Sequence, residues 1–338
     1  MAPKGDTASL PETGFPDVPI DPKAQAVLAD VNCLLFCIGG QRCGTTWLSQ
    51  QLLKSKQVHF SVKEHHYWNV VRSPYVALIG LPIGPWMMVL RKRHRQWQRW
   101  SRYLGKTMHL MMIRTSGLLS SPLDHEDYAK SLIFGWKDEP VVADITPAYS
   151  RLPRRAFAEM ATLHPKARFL FIMRDPVDRL VSGVKQRSRH SVGQRSGGAD
   201  AAAELLAAAV DEPGTSADIE RSRYDRTIKA LEWSVPQDQI LYLFFEDLFT
   251  EESMARLAKF IGLEELHGQF HVRTHGSAIP EDLKTEPMVR AAHAALAPTY
   301  DYIIDRFGDA VPEAWHKSAE RGRQMLATTG QELAESGT

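Results

Sequence analysis

The run Cys33-Leu-Leu-Phe-Cys-Ile38 followed by Gly39-Gly40 constrains this chain more than any other stretch. Six apolar residues stopped by two glycines read as a strand buried on both faces. Beyond the glycines, Trp47, Leu48, Gln51 and Leu52 recur at helical spacing, which gives strand, glycine turn, helix. The pattern returns. Val141–Ile145 is a strand candidate with a helix from about Pro153 to Leu163. Arg168–Met173 is a strand, followed by Asp175-Pro176 and a helix through Leu180 and Val184, with Pro176 suited to its first turn. Ile240–Phe245 is a strand, and Ser253–Ile261 a helix closed by Gly262. Continuous apolar strands alternating with helices predict an α/β fold of three layers, P-loop-like, with a central, mostly parallel sheet of about five strands flanked by helices. Ligands of such sheets bind at the carboxyl ends of the strands.

Composition narrows the class. The 338 residues are 43% hydrophobic and 24% charged, as in ordinary globular chains, and the net charge is +1. A globally basic nucleic-acid binder is therefore not expected. The cysteines, Cys33, Cys37 and Cys43, are odd in number and lack metal-ligand spacing, so neither a disulfide framework nor a zinc site is expected. No secretory leader is visible at the N-terminus, and the expectation is a soluble, cytoplasmic protein that needs no metal. Residues 1–30, rich in Pro, Asp and Gly, read as an N-terminal extension. Residues 31–310 read as one domain, and the polar stretch 311–338 as a C-terminal tail prone to fray. Ala199–Val210 reads as a surface helix between glycine-rich breaks.

Gly39-Gly-Gln-Arg-Cys-Gly-Thr-Thr46 lies between a strand and a helix. Glycines admit an anion to the backbone, helix-start N–H groups point at it, and hydroxyls add donors. The spacing approaches a Walker A loop, but the lysine is replaced by Thr45, and the basic residue is Arg42 inside the loop. On the residues alone, a plain glycine turn packing helix on strand is the competing reading. The stretch Ile38–Leu48 resembles the 5′-phosphosulfate loop of sulfotransferases that use 3′-phosphoadenosine-5′-phosphosulfate (PAPS). Arg42 matches the family's loop cation, with Gly44, Thr45 and Thr46 as phosphate donors. The resemblance implies a candidate cofactor set of Gly40, Gln41, Arg42, Cys43, Gly44, Thr45 and Thr46.

Two further stretches carry the resemblance. Phe171–Ser182 is similar to the family's 3′-phosphate motif, Arg-Asp-Pro-x-x-Arg-x-x-Ser. It implies Arg174 and Ser182 as 3′-phosphate ligands, and leaves Arg179 without a clear role. Read alone, Arg174 is equally a partner of Asp175 or Asp178. Val62-Lys-Glu-His-His-Tyr-Trp68 resembles the Lys-Glu-x-His-Phe-Phe stretch of heparan-type carbohydrate sulfotransferases, which implies Glu64 as catalytic base beside His66. His65 and His66 are the rival bases. Asp144-Ile-Thr-Pro-Ala-Tyr149 resembles a Glu-Lys-Thr-Pro-x-Tyr segment, but Ile145 stands where the family has its lysine. That leaves charge stabilisation to Arg42, with Lys63 or a residue from elsewhere in the chain as further candidates. Ser222-Arg-Tyr224, Glu246-Asp-Leu248 and Val272-Arg-Thr-His-Gly276 are looser matches. The last resembles a loop over the 3′-phosphate and nominates Arg273 and Gly276.

The family resemblance implies metal-free, in-line transfer of a sulfuryl group from PAPS, leaving 3′,5′-diphosphoadenosine. The acceptor is expected to be a hydroxyl or amine of a carbohydrate or small molecule. The competing functions are a nucleotide kinase-like P-loop enzyme and a non-catalytic phosphonucleotide- or polyanion-binding module. Finally, no Asp or Glu occurs from His65 to Leu123. Within that stretch, the basic, Trp-bearing segment 91–106 reads either as a surface for an acidic partner or membrane, or as a helix with solvated arginines.

Overall fold

In the computed structural model, the described residues are 21–71, 125–191, 206–211, 213–214, 216–270 and 286–336. Five strands form one sheet in the order β2-β3-β1-β4-β5. They are β1 (Cys33–Gly39), β2 (Val58–His59), β3 (Val141–Ile145), β4 (Ala167–Met173) and β5 (Ile240–Phe244). All four pairings are parallel.

Every residue of β1 is buried, because helices cover both faces of the sheet. The pleat divides the strand between two cores. Leu34, Phe36 and Ile38 join a cluster with residues of the helices Arg154–Thr162, Pro176–Ser191 and Tyr224–Glu232. Cys33, Leu35 and Cys37 join another with Trp47, Leu48 and Leu52 of the helix Thr45–Ser55, and with Met254, Leu257 and Ile261 of the helix Glu251–Ile261. This is the predicted three-layer α/β architecture. Thr250 caps the latter helix by accepting from the Ser253 N–H, and Gly262, at φ 76°, ends it.

The topology places the site. From β1 the chain leads towards β2 and β3; from β4 it leads to β5 on the opposite side. The loops after β1 and β4 therefore part, leaving a crevice at the carboxyl end of the sheet. Residues 39–46 and 174–182 are the two segments that leave these strands.

The ends of the chain differ from expectation. Within 1–30, Pro22–Val27 forms a helix capped by Asp21, and Ala24 and Leu28 are buried in the core. Within 311–338, Glu313–Ser336 is a helix that packs on the helix Glu286–Phe307. Its Trp315 is fully buried, edge-on to Phe244. Trp315, Ala319 and Gly322 lie on one helical face, and a Cβ on Gly322 would lie 2.7 Å from the His293 ring. One large and two small residues make a narrow stripe that average polarity hides. Of the stretch 199–210, Leu206 and Ala209 are buried rather than on the surface. Segment 91–106 lies outside the described residues.

Asp175 ties these parts together. Its Oδ1 accepts from the Val177 and Asp178 N–H groups at the start of the helix Pro176–Ser191, and the Tyr300 hydroxyl donates to both carboxylate oxygens at 2.8 Å. Burial raises its pKa from 3.8 to about 6. The folded state then holds a proton that the unfolded chain releases, so stability falls as pH rises from about 4 to about 6. Asp175→Asn keeps the cap and removes the charge. Urea unfolding across this range should show the slope in wild type and a flatter profile in the variant.

Candidate active site

The chain leaves β1 at Gly39, whose φ is 144° and whose added Cβ would lie 2.8 Å from the Pro147 carbonyl oxygen. The Gly40 N–H donates to the Ile172 carbonyl of β4, and the Cys43 N–H donates to Gly40 O at 3.2 Å, closing the turn. Arg42 (φ 73°) and Gly44 (φ 85°) both take left-handed backbone. Such residues turn successive N–H groups to one side and form an anion nest. Gly44 is also the cap residue of the helix Thr45–Ser55, and no side chain caps that helix. Its first-turn N–H groups and the positive end of its dipole therefore face the nest.

Residues 61–66 cross the mouth of the crevice. The Glu64 N–H donates to Ile145 O at 3.0 Å, at the end of β3. Backbone at φ 66° for Glu64 and 57° for His66 is costly for these residue types and is held by such contacts. Lys63 Nζ donates to Thr46 Oγ1 at 2.8 Å and lies 3.7 Å from Glu64 Oε1. His66 Nε2 lies 3.6 Å from Glu64 Oε2, and its Nδ1 meets Asn69 Oδ1 at 3.2 Å. The β3 end is fixed from below by Asp144, a fully buried carboxylate that accepts from the hydroxyls of Tyr128, Thr146 and Tyr149.

Arg174 stands at the end of β4. Its guanidinium lies 4.8 Å from the centre of the Phe245 ring, and its Nε is buried without a hydrogen-bond partner. Asp178 is a distant ion-pair partner at 3.9 Å. The Tyr224 hydroxyl donates to Arg174 O at 2.9 Å and lies 3.8 Å from Cys43 Sγ, so one buried ring touches both loops. Arg42 Nε donates to Ser182 Oγ at 3.1 Å, across the crevice from one nominated anion site to the other. Three cations, Arg42, Lys63 and Arg174, thus border the cleft, with the Glu64 carboxylate beside Lys63.

The sulfotransferase family model matches residues 35–267, which include both loops and the Glu64 segment. The chain belongs to the sulfotransferase family. A sulfotransferase from Alicyclobacillus acidocaldarius shares the fold, with a TM-score of 0.56 and 17% identity over 85% of this chain and 98% of that one. The sulfotransferase domain of the olefin synthase from Synechococcus PCC 7002 aligns with a TM-score of 0.43 and 16% identity over 78% of this chain and 94% of that domain. No curated protein matches.

In this sulfotransferase the residues nominated from sequence separate into several groups. Gly40, Gln41, Arg42, Gly44, Thr45, Thr46, Arg174 and Ser182 come together at the crevice, with Glu64 and His66 beside them. Cys43 does not face it. Its thiol is fully buried against Tyr224, and burial pushes its pKa up to about 11. Arg179, also fully buried, donates to Asp218 O at 2.9 Å and fills the space over Gly183, which is a structural position. His65 is buried too, near Ser61 and edge-on to Tyr128, whereas His66 Nε2 lies 3.6 Å from Glu64 Oε2. Arg273 and Gly276 lie outside the described residues. Asn69 and Phe245 carry no local signal in sequence that marks them as part of the site, whereas the Asp144 network falls in the segment Asp144–Tyr149 that the family resemblance singles out. Among the described residues no cluster of His, Cys, Asp or Glu is arranged to hold a metal, and no helix is long and apolar enough to cross a membrane.

Gly44 tests the loop geometry. A Cβ there would lie 2.6 Å from Leu248 Cδ2, on backbone that L residues rarely adopt. Gly44→Ala should therefore cost about 1–3 kcal/mol in urea unfolding. A variant as stable as wild type would contradict the loop conformation.

Proposed function

We propose that this sulfotransferase uses PAPS as donor, a hydroxyl or amine of a carbohydrate or small molecule as acceptor, and Glu64 as the base. The observation that carries the proposal is the contact between Lys63 and Thr46. It sets the Glu64 carboxylate directly beside the anion nest, so that a base and a phosphate cradle share one cleft.

The residues fit the donor's two phosphate ends. The Gly40–Thr46 nest, with Arg42, would hold the 5′ end. Arg174, with its unpartnered buried Nε, and Ser182 would hold the 3′-phosphate, since a guanidinium offers a planar fork to a phosphate monoester. When bound, PAPS supplies an activated sulfuryl group. The chain's own part is proton transfer and electrostatics. Glu64 accepts the acceptor's proton on a carboxylate oxygen. His66, 3.6 Å from Oε2 and anchored by Asn69, orients that carboxylate. Lys63, bound to Thr46, supplies the cation that Ile145 cannot, on the side where negative charge collects.

Two experiments test this reading. Glu64→Gln keeps shape and removes the base, so kcat should fall by about 10²–10⁴ while 3′,5′-diphosphoadenosine binds as before. Unchanged kcat would move the base elsewhere. Arg174→Ala should weaken 3′,5′-diphosphoadenosine in calorimetry by about 1.5–3 kcal/mol, the usual value of a charged hydrogen bond, and leave adenosine 5′-phosphate unaffected. Equal losses for both nucleotides would make Arg174 structural.

A further inference from the structure

Beside the phosphate loop lies a cavity of about 230 Å³, lined among others by Gln41, Asn69, Ala148, Ser150, Arg151 and Arg221. Two walls join it to the proposed chemistry. Gln41 precedes Arg42 in the nest. Asn69 donates from Nδ2 to Ala148 O at 3.2 Å and meets His66 through Oδ1, so it stands between the cavity and the Glu64 pair. A molecule in this cavity would lie next to the base and the loop, sharing Gln41 with the residues assigned to the donor phosphates but reaching away from Arg42, Arg174 and Ser182 toward Arg151 and Arg221.

The cavity's charge is one-sided. None of its described lining residues is acidic, whereas Arg151 and Arg221 both reach it. Behind Arg221 sits the buried Asp218, whose carboxylate is shared by three guanidiniums. Arg187 lies at 2.6 Å, Arg221 at 3.2 Å and Arg179 at 4.0 Å. Arg151 adds a fourth guanidinium at the end of the short 3₁₀ turn Pro147–Arg151, and among the described residues no carboxylate pairs with it. Burial, and then the neighbouring guanidiniums of Arg179, Arg151 and Arg187, push the Arg221 pKa down even with Asp218 beside it. Like charges are held close together here around the Asp218 carboxylate. An anion brought in by a ligand would relieve that repulsion, and Arg is the side chain suited to carboxylate and phosphate geometry.

We infer that the cavity walled by Arg151 and Arg221 is an acceptor subsite for an anionic group, a carboxylate or phosphate carried by the acceptor apart from its reacting hydroxyl or amine. The inference rests on the sulfotransfer reading for its place in the reaction. It narrows the acceptor class to acidic carbohydrates and acidic small molecules. Arg151 is the group to alter. It is exposed and has no structural partner among the described residues, whereas Arg221 also bonds Ala217 O and Asp218.

The test measures binding to protein saturated with 3′,5′-diphosphoadenosine, so that the donor's phosphate sites are already filled. The probes are matched pairs: glucuronate and glucose, glucose 6-phosphate and glucose, 4-hydroxybenzoate and its methyl ester. In wild type, at least one anion should bind ten-fold or more tighter than its neutral match. Arg151→Gln should lower that preference by about 10- to 100-fold and leave the neutral probe unchanged. Equal binding within every pair, or a preference that survives Arg151→Gln, overturns the inference. Diphosphoadenosine binding on the same samples separates the two claims. Its absence in wild type overturns the donor reading, whereas normal nucleotide binding without anion preference overturns the subsite alone.

Discussion

Backbone pairing of β1 with β3 on one side and β4 on the other holds every functional group at the crevice. That register puts Gly39 against Phe171, brings the Gly40 N–H to Ile172 O, and sets the Thr146 N–H on Cys37 O. The nest and the Arg174 corner are therefore the ends of the adjacent strands β1 and β4, and the Glu64 segment, which follows β2, is tied to the end of β3 by the Glu64 N–H. A slip of one residue in β1 would exchange the two cores and turn the loop away from its neighbours. The burial of all seven β1 residues, with large side chains on both faces, makes such a slip costly.

The strands also concentrate positive charge. Arg42, Lys63 and Arg174 border the crevice, Arg179 lies buried beneath it, and Arg151 and Arg221 stand at its side. The protein offsets this in particular ways. Arg174 lies over the Phe245 ring, Arg179 donates to a backbone carbonyl, and Asp218 is divided among three guanidiniums. The Arg174 Nε remains unpartnered, and the nest's N–H groups face the same crevice. These cations and N–H groups face one crevice, the arrangement that the proposed donor with phosphates at two positions would need. Glu64 lies at the mouth, with Lys63 Nζ 3.7 Å and His66 Nε2 3.6 Å from its carboxylate oxygens, where the proposed base is needed.

Much of this was legible where the signal is local. The glycine spacing from Gly39 to Gly44 and the run from Arg174 to Ser182 each lie within one strand-to-helix transition, so their residue types carry their geometry. The strand runs likewise gave away the sheet. What stayed hidden depends on distant contacts. Lys63 reaches Thr46 across 17 residues of sequence only because β2 and β3 bring the 61–66 segment back over the loop. Arg151 and Arg221 meet at a cavity whose walls come from four separate stretches of chain. Cys43 looks like a loop ligand in sequence, yet the turn that points the neighbouring N–H groups outward sends its side chain into the core. The helix Glu313–Ser336 was obscured because, among its side chains described up to residue 328, Trp315 is the one large, fully buried side chain.

The account's central claim is that two anion sites and one base share a single cleft. A crystal structure with 3′,5′-diphosphoadenosine tests it most directly. The account predicts the 5′-phosphate in the Gly40–Thr46 nest, the 3′-phosphate on Arg174 and Ser182, and the Glu64 carboxylate facing the 5′ side. A nucleotide bound away from the β1–β4 crevice, or one whose 3′-phosphate touches neither Arg174 nor Ser182, would contradict it.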